Sequence, residues 1–321
     1  MPTNTRFDTD TIKARCDVPT VAAHWLTLAT KQQDHFKALC PFHPDQDTPS
    51  LALYGDHYHC FGCGAHGDVI GLVMALESLD FIKAIEWLID RYDGLDEVEA
   101  IAEVEIVRPT TPVPYDILRY WQTLMTGEVH AWYNSRGLND ETITRYMLGW
   151  DGNNYVTPTW EGKPGESDVF GVAFRKSDGT KPKYFGLRGR NYPTLFNRWI
   201  LEDATVGYVF IGQYDVMLAV QDGLAAVTGT GGQLTWLSEW NQYFAHLERV
   251  YVVPDVGEYA AGFAIASQIG THAKVGRYPE DVPNITDYTD FRGWGSYARF
   301  NRMVIQPLER KLAVTAHWES R

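Results

Sequence analysis

Four residues within a window of twenty-four constrain this chain more than anything else in it. They read Cys40-Pro-Phe-His43, then sixteen residues, then Cys60-Phe-Gly-Cys63. A two-residue gap lets a tight turn aim both side chains of a pair at one point. Two such turns brought together give a tetrahedral Cys3His site, with zinc–sulfur bonds near ~2.3 Å and a zinc–nitrogen bond near ~2.0 Å. The insert holds two short apolar stretches, Leu51-Ala-Leu-Tyr54 and His57-Tyr-His-Cys60, around Gly55-Asp56. It reads as a hairpin that returns the second ligand pair to the first. Four protein ligands leave no open coordination position, so the zinc is expected to be structural. His57, His59 and His66 are rival ligands. His43 is preferred, because it stands from Cys40 at the same gap as Cys63 from Cys60. The fourth cysteine, Cys16, reads as a small buried hydrophobe on a helix.

Length and charge bound the rest. A chain of 321 residues is expected to form two or three domains. No apolar run is long enough to cross a membrane, and Met1-Pro-Thr-Asn-Thr-Arg-Phe-Asp8 has no signal-peptide pattern. Cysteines committed to metal rather than disulfides point to the cytoplasm. The net charge of −13 excludes a binder that relies on global positive charge, so nucleic-acid contact needs a local basic patch.

The first domain is expected over 1–107. Asp8 to Leu28 reads as helical, split by Pro19. Asp68 and Asp80 read as caps of helices over Val69–Leu76 and Phe81–Arg91. An acidic stretch follows, and the Pro-rich segment 108–114 is a stiff linker. A core subdomain is expected over 115–205. It has a helix over Tyr115–Tyr133, a second helix capped by Asn139 or Asp140 and ended by Gly149, and strands at Tyr155–Trp160 and Val169–Phe174.

The stretch that follows is basic. Arg175, Lys176, Lys181, Lys183, Arg188, Arg190 and Arg198 face one acid, Asp178, and Phe174, Tyr184, Phe185, Tyr192 and Phe196 alternate with them. Cations that neutralise phosphates, beside rings that stack on bases, suit a single-strand groove. The plain alternative is a solvated hairpin.

From 206 to 295, strands at Val206–Ile211, Ala225–Thr228, Val250–Val253 and Lys274–Tyr278 alternate with helices. That spacing implies a parallel sheet covered on both faces, with function at the carboxyl ends of its strands. Residues 296–321 read as a helix and tail. The fold class is therefore α/β and multidomain, with an N-terminal zinc ribbon and helices.

These segments resemble a known family. Cys40-Pro-Phe-His43, Thr48-Pro-Ser50, Tyr58-His-Cys60-Phe-Gly-Cys63-Gly and Gly67-Asp-Val-Ile70 resemble the zinc ribbon of DnaG-type primases of bacteria and their phages. Arg136-Gly-Leu, Lys183-Tyr184 and Arg188-Gly-Arg190 resemble parts of the primase core, and residues 206–295 resemble its Toprim fold. The resemblance implies a ribbon that contacts single-stranded DNA template, a replication role in a cell, phage or mobile element, and chemistry by two Mg or Mn ions that join ribonucleotides.

The carboxylates depart from that pattern. Ile211 stands where the family has a Glu before Gly212, although Asp215 is kept. The third strand ends Asp255-Val-Gly257, without a second Asp, and Glu258 follows. Asn284 stands where another acid belongs, before Asp287. Mg²⁺ requires anionic oxygen ligands, so Asp215, Asp255, Glu258 and Asp287 read as a remnant. The expectation is a zinc-containing, single-stranded DNA-binding replication protein with impaired or no primer synthesis. The alternative is an active primase. A contact with a replicative helicase or other replication protein is the further partner expected.

Overall fold

A computed structural model describes residues 3–29, 34–43, 49–77, 79–92, 95, 102–105, 108–188, 190, 192–231, 236–256, 258–276, 278 and 287–292. Most of the acidic stretch, Thr48, Gly257, Asn284 and the segment 296–321 lie outside the described residues. The chain divides into two compact units. The first holds the described residues of Met1–Glu105 and Tyr251–Thr286, and the second those of Ile106–Val250 and Asp287–Tyr297. The segment 206–295, expected as one subdomain, is shared between them.

The first unit begins with β1 (Thr3–Arg6), α1 (Thr9–Arg15) and α2 (Val18–Ala22). Asp8 caps α1, accepting from the Thr11 N–H at 3.2 Å, and Asp17 caps α2 through the Thr20 N–H at 3.2 Å. Pro19 lies in the first turn of α2, where its missing N–H costs nothing. The helix break therefore falls before this proline rather than at it.

Four short strands follow: β2 (Phe36–Ala38), β3 (Leu51–Leu53), β4 (Tyr58–Cys60) and β5 (His66–Gly67). They pair antiparallel in chain order, with Leu51 opposite Cys60. In α3 (Val69–Glu77), Asp68 accepts from the Gly71 N–H at 2.9 Å, and in α4 (Phe81–Ile89), Asp80 accepts from the Lys83 N–H at 2.9 Å. Every residue of α3 from Val69 to Ala75 is buried, as expected of a helix covered on more than one side. β6 (Ala102–Glu105) pairs antiparallel with β1.

The second unit opens with α5 (Tyr115–Thr123) and α6 (Gly127–Ser135), where one helix was expected. The Thr126 hydroxyl accepts from the Val129 N–H at 3.3 Å and starts a new helix there. Asn139 caps α7 (Asp140–Arg145) through the Thr142 N–H at 2.8 Å. Next come β7 (Gly149–Trp150), β8 (Asn154–Trp160), β9 (Val169–Lys176) and β10 (Tyr184–Gly186), an antiparallel sheet in the order β10-β9-β8-β7. The buried Tyr133 hydroxyl donates to the Gly149 carbonyl at 2.8 Å and ties α6 to this sheet.

A second sheet comprises β11 (Leu195–Phe196), β12 (Val206–Phe210), β13 (Ala226–Gly229) and β14 (Arg249–Val253), with α8 (Gln213–Gln221) between β12 and β13. Its order is β11-β13-β12-β14. β12 and β13 are parallel, and β11 is an antiparallel edge that the strand–helix alternation did not disclose. Residues Ser238–Phe244 form a 3-10 helix rather than the α-helix expected there.

The last residues of β14 belong to the first unit, where β14 pairs with β15 (Ala273–Val275). Between them, α9 (Tyr259–Ile269) packs on α3, and its Phe263 ring stacks on Phe42 at 6.2 Å. α10 (Tyr288–Arg292) completes the second unit. No helix among the described residues is long and apolar enough to cross a membrane.

Candidate metal centre and nucleic-acid interface

In the first unit, β4 ends at Cys60, and the turn after it brings Cys63 back beside Cys40. The Cys40 and Cys63 sulfurs are 3.8 Å apart, and the Cys60 sulfur is 3.8 Å from His43 Nδ1. All four ligand atoms lie within 4.8 Å of one another. A tetrahedron with ~2.3 Å zinc–sulfur bonds has edges of about 3.8 Å, so the residues present fit a zinc ion. Two of the three rival histidines are engaged elsewhere, and the third, His59, lies outside the group of four. His57 Nδ1 pairs with Asp56 at 2.6 Å, and His66 Nδ1 lies 3.1 Å from the Gly64 carbonyl.

The surroundings suit bound thiolates. Backbone N–H groups of Phe42, Gly62 and Cys63 point at the Cys40 and Cys60 sulfurs at 3.3–3.4 Å. The Ser50 hydroxyl lies 3.2 Å from the Cys60 sulfur. Hydrogen bonds from Cys40, Cys63 and Ser50 hold the Cys60 thiol far below its ordinary value, while Cys40 is pushed far up by its sulfur neighbours. A cation resolves this competition by letting every sulfur ionise. Gly62 is required here, because a Cβ at that position would meet His43 Nε2 at 2.6 Å.

In the second unit, β9 and β10 bring part of the basic stretch onto an aromatic surface. Trp132 of α6 stacks on Tyr155 of β8 at 3.6 Å, and the Arg175 guanidinium lies over Trp132 at 4.7 Å. Arg175 also faces Tyr184 at 6.0 Å, and Lys183 lies 5.6 Å from the same ring. The Lys183 ammonium is held below its ordinary value by burial and by Arg175 and Arg136, against the opposing pull of Asp287 and Asp215.

Asp215, in the first turn of α8, is 8% exposed. Its Oδ1 accepts from both the Thr289 N–H at 3.2 Å and the Thr289 hydroxyl at 2.9 Å. Burial, and then the charge of Asp287, push its carboxyl up to about 6, against the Thr289 bonds and Arg136.

The other predicted residues are placed differently. Lys176 bonds Thr180 Oγ1 and the Lys181 carbonyl across the tip of the β9–β10 hairpin, and Lys181 and Arg188 are exposed. Arg190 donates to the Thr111 carbonyl in the linker. Asp255 and Glu258 lie in the first unit, where the Glu258 N–H bonds the Asp255 carbonyl at 3.0 Å ahead of α9. Among the described residues, the cysteine–histidine group is the one place where three or more His, Cys, Asp or Glu ligand atoms gather. Arg136, Trp132 and Thr289 were not selected as site residues. Arg136 alone had a sequence signal, in its Arg-Gly-Leu run.

Comparison with known proteins agrees with this geometry. Residues 5–102 match the CHC2 zinc finger model of the DnaG zinc ribbon. The DNA primase of Deinococcus radiodurans is 34% identical over 144 residues, covering 44% of this chain and 24% of that protein. The DNA primase of Salmonella typhimurium is 26% identical over 286 residues, covering 75% of this chain and 44% of that protein. The chain thus aligns with less than half the length of these curated relatives. Among solved structures, a DnaG primase catalytic domain bound to single-stranded DNA superposes with a TM-score of 0.50 at 16% identity, covering 61% of this chain and 80% of that one.

Proposed function

The chain is related to the DnaG-type primases and carries their CHC2 zinc ribbon over residues 5–102, and from that premise we propose a single-stranded DNA-binding replication protein with impaired or no primer synthesis. The observation that carries the reading is at the start of α8. Ile211, an apolar side chain, stands where a Toprim site has its first carboxylate, and the retained Asp215 is buried and bonded to Thr289.

Binding is supported by Arg175, Lys183 and Tyr184, which offer two cations and a ring along one strand pair above Trp132. Such a surface attracts backbone phosphates and stacks bases without reading sequence. The zinc, when bound, supplies fold stability, because all its coordination positions are filled by protein. A replicative helicase or another replication protein is the protein partner that such a role calls for, in the cytoplasm. The second reading, an active primase using ribonucleotides with Mg or Mn, is favoured by the retention of two acids, Asp215 and Asp287, the charge of the second raising the carboxyl of the first.

Labelled ribonucleotides on a single-stranded template, with Mg²⁺ or Mn²⁺, separate the two readings. The expected result is DNA binding without primers. Abundant primers that disappear in Asp255→Ala and after zinc removal overturn the proposal.

A further inference from the structure

Both zinc-ligand pairs press on the residues that follow β14, within the same compact unit. Phe42 stands between Cys40 and His43 and is 2% exposed. Its ring packs on Tyr58 at 5.8 Å and on Phe263 of α9 at 6.2 Å. Gly64 follows Cys63, with φ at +74°, and a Cβ there would stand 3.3 Å from Val256 Cγ1. The backbone beside the second ligand pair therefore lies against the residue after Asp255. Further along, α3 leaves the ribbon and packs on α9. Val69 to Ala75 of α3 are buried, and so are Ala261, Ala264, Ile265 and Ile269 of α9.

α9 in turn is seated on the end of β14. A Cβ at Gly262 would stand 2.9 Å from Pro254 Cγ. The Glu258 N–H bonds the Asp255 carbonyl at 3.0 Å, and the Gly262 N–H bonds the Glu258 carbonyl at 3.2 Å. A shift of α9 therefore moves Asp255, and a shift of Phe42 or Gly64 moves α9. Close-packed contacts transmit such displacements rather than absorb them. The direction of Phe42 depends on the ligands on either side of it. Metal bonds to Cys40 and His43 hold that turn, and their energy is folding energy.

We propose that zinc occupancy sets the conformation of Asp255, Glu258 and α9, so that the metal clasp positions the carboxyl end of β14 as well as the ribbon. Phe42, Val256 and Phe263 are the positioning residues. The coupling is reciprocal: the stability that zinc lends to α9 returns as zinc affinity. This goes beyond the function proposed above and holds whether or not primers are made.

The test is hydrogen–deuterium exchange on the full chain, zinc-loaded and zinc-stripped under reducing conditions, with zinc content checked by elemental analysis. After stripping, amides of 259–269 should exchange at least about tenfold faster, and those of α8 should change less than about threefold. In competition with a chromophoric chelator, Phe263→Ala should weaken zinc binding about tenfold, and Phe263→Leu should stay within about threefold of the parent. Phe263 is not a ligand, so a metal site acting only on its own ribbon would not register the change. Unchanged protection of 259–269 after stripping overturns the proposal, as does zinc affinity unaffected by Phe263→Ala. Equal loss of protection in α8 overturns it too, because it would mark general unfolding. Should Phe263→Ala fail to fold, Val256→Ala carries the same affinity test with the same two outcomes.

Discussion

Thr289 holds Asp215 by two hydrogen bonds to one carboxylate oxygen, at 3.2 Å from its N–H and 2.9 Å from its hydroxyl. The bonds fasten the first turn of α10 to the first turn of α8. They also oppose, without cancelling, the burial and the Asp287 charge that raise the carboxyl to about 6 from 3.8. Stability should therefore depend on pH in a definite direction. Below pH 4 the carboxyl is protonated in both folded and unfolded chains. Between pH 4 and 6 the unfolded chain loses its proton first, so stability falls as pH rises; above 6 the penalty is complete. A shift of this size corresponds to up to about 3 kcal/mol. Asp215→Asn keeps an acceptor for Thr289 and should flatten this window. Urea midpoints between pH 4.5 and 7.5 check the difference, and parallel profiles would refute the assignment.

Zinc affinity should respond to Ser50, which touches the metal centre without being a ligand. Its hydroxyl lies 3.2 Å from the Cys60 sulfur. Ser50→Ala removes a donor that favours the thiolate, and outer-shell losses of this kind cost about 10–100-fold in metal affinity. Competition with a chromophoric chelator should register at least a tenfold drop.

Gly62→Ala should be more damaging than its size suggests. The added methyl would start 2.6 Å from His43 Nε2 and displace the imidazole from the sulfur cluster. Reduced zinc content by elemental analysis and a lower melting temperature of the first unit are the expected outcomes.

Salt dependence should distinguish the two basic positions that look alike in sequence. Lys183→Ala should weaken single-stranded DNA binding and lower the slope of log K against log salt by about 1. Arg190→Ala should change that slope less than Lys183→Ala does, because one guanidinium N–H donates to the Thr111 carbonyl and turns the side chain toward the linker. Fluorescence anisotropy across a salt series measures both.

Arg292 joins three parts of the second unit. It bonds both Asp222 oxygens at 2.7 and 2.9 Å and the Gly137 carbonyl at 2.9 Å, while the Tyr288 hydroxyl bonds Asp222 at 3.0 Å. Breaking a partly buried, bidentate pair leaves Asp222 without its countercharge, so Arg292→Gln should destabilise this unit by about 2 kcal/mol. A double-mutant cycle with Asp222→Asn by urea denaturation should recover a coupling of about 1 kcal/mol or more.

The zinc centre was legible in the sequence because its chemistry is local. A two-residue gap fixes the direction of two side chains, and Cys40, His43, Cys60 and Cys63 needed only one hairpin to meet. Helix starts at Asp8, Asp68, Asp80 and Asn139 were legible for the same reason: each cap bonds an N–H three residues away. The break between α5 and α6 carried a local signal too, in Thr126, but the apolar spacing on both sides concealed it. What the tertiary structure decided was where distant side chains point. Sequence alone grouped Arg190 with Lys183, and only the packed chain sends one to the linker and sets the other beside the Tyr184 ring. It also gave no sign that Thr289 and Arg136, 74 and 79 residues from Asp215 along the chain, share its surroundings. Direction at such separations depends on packing over the whole unit, and no short pattern of residues encodes it.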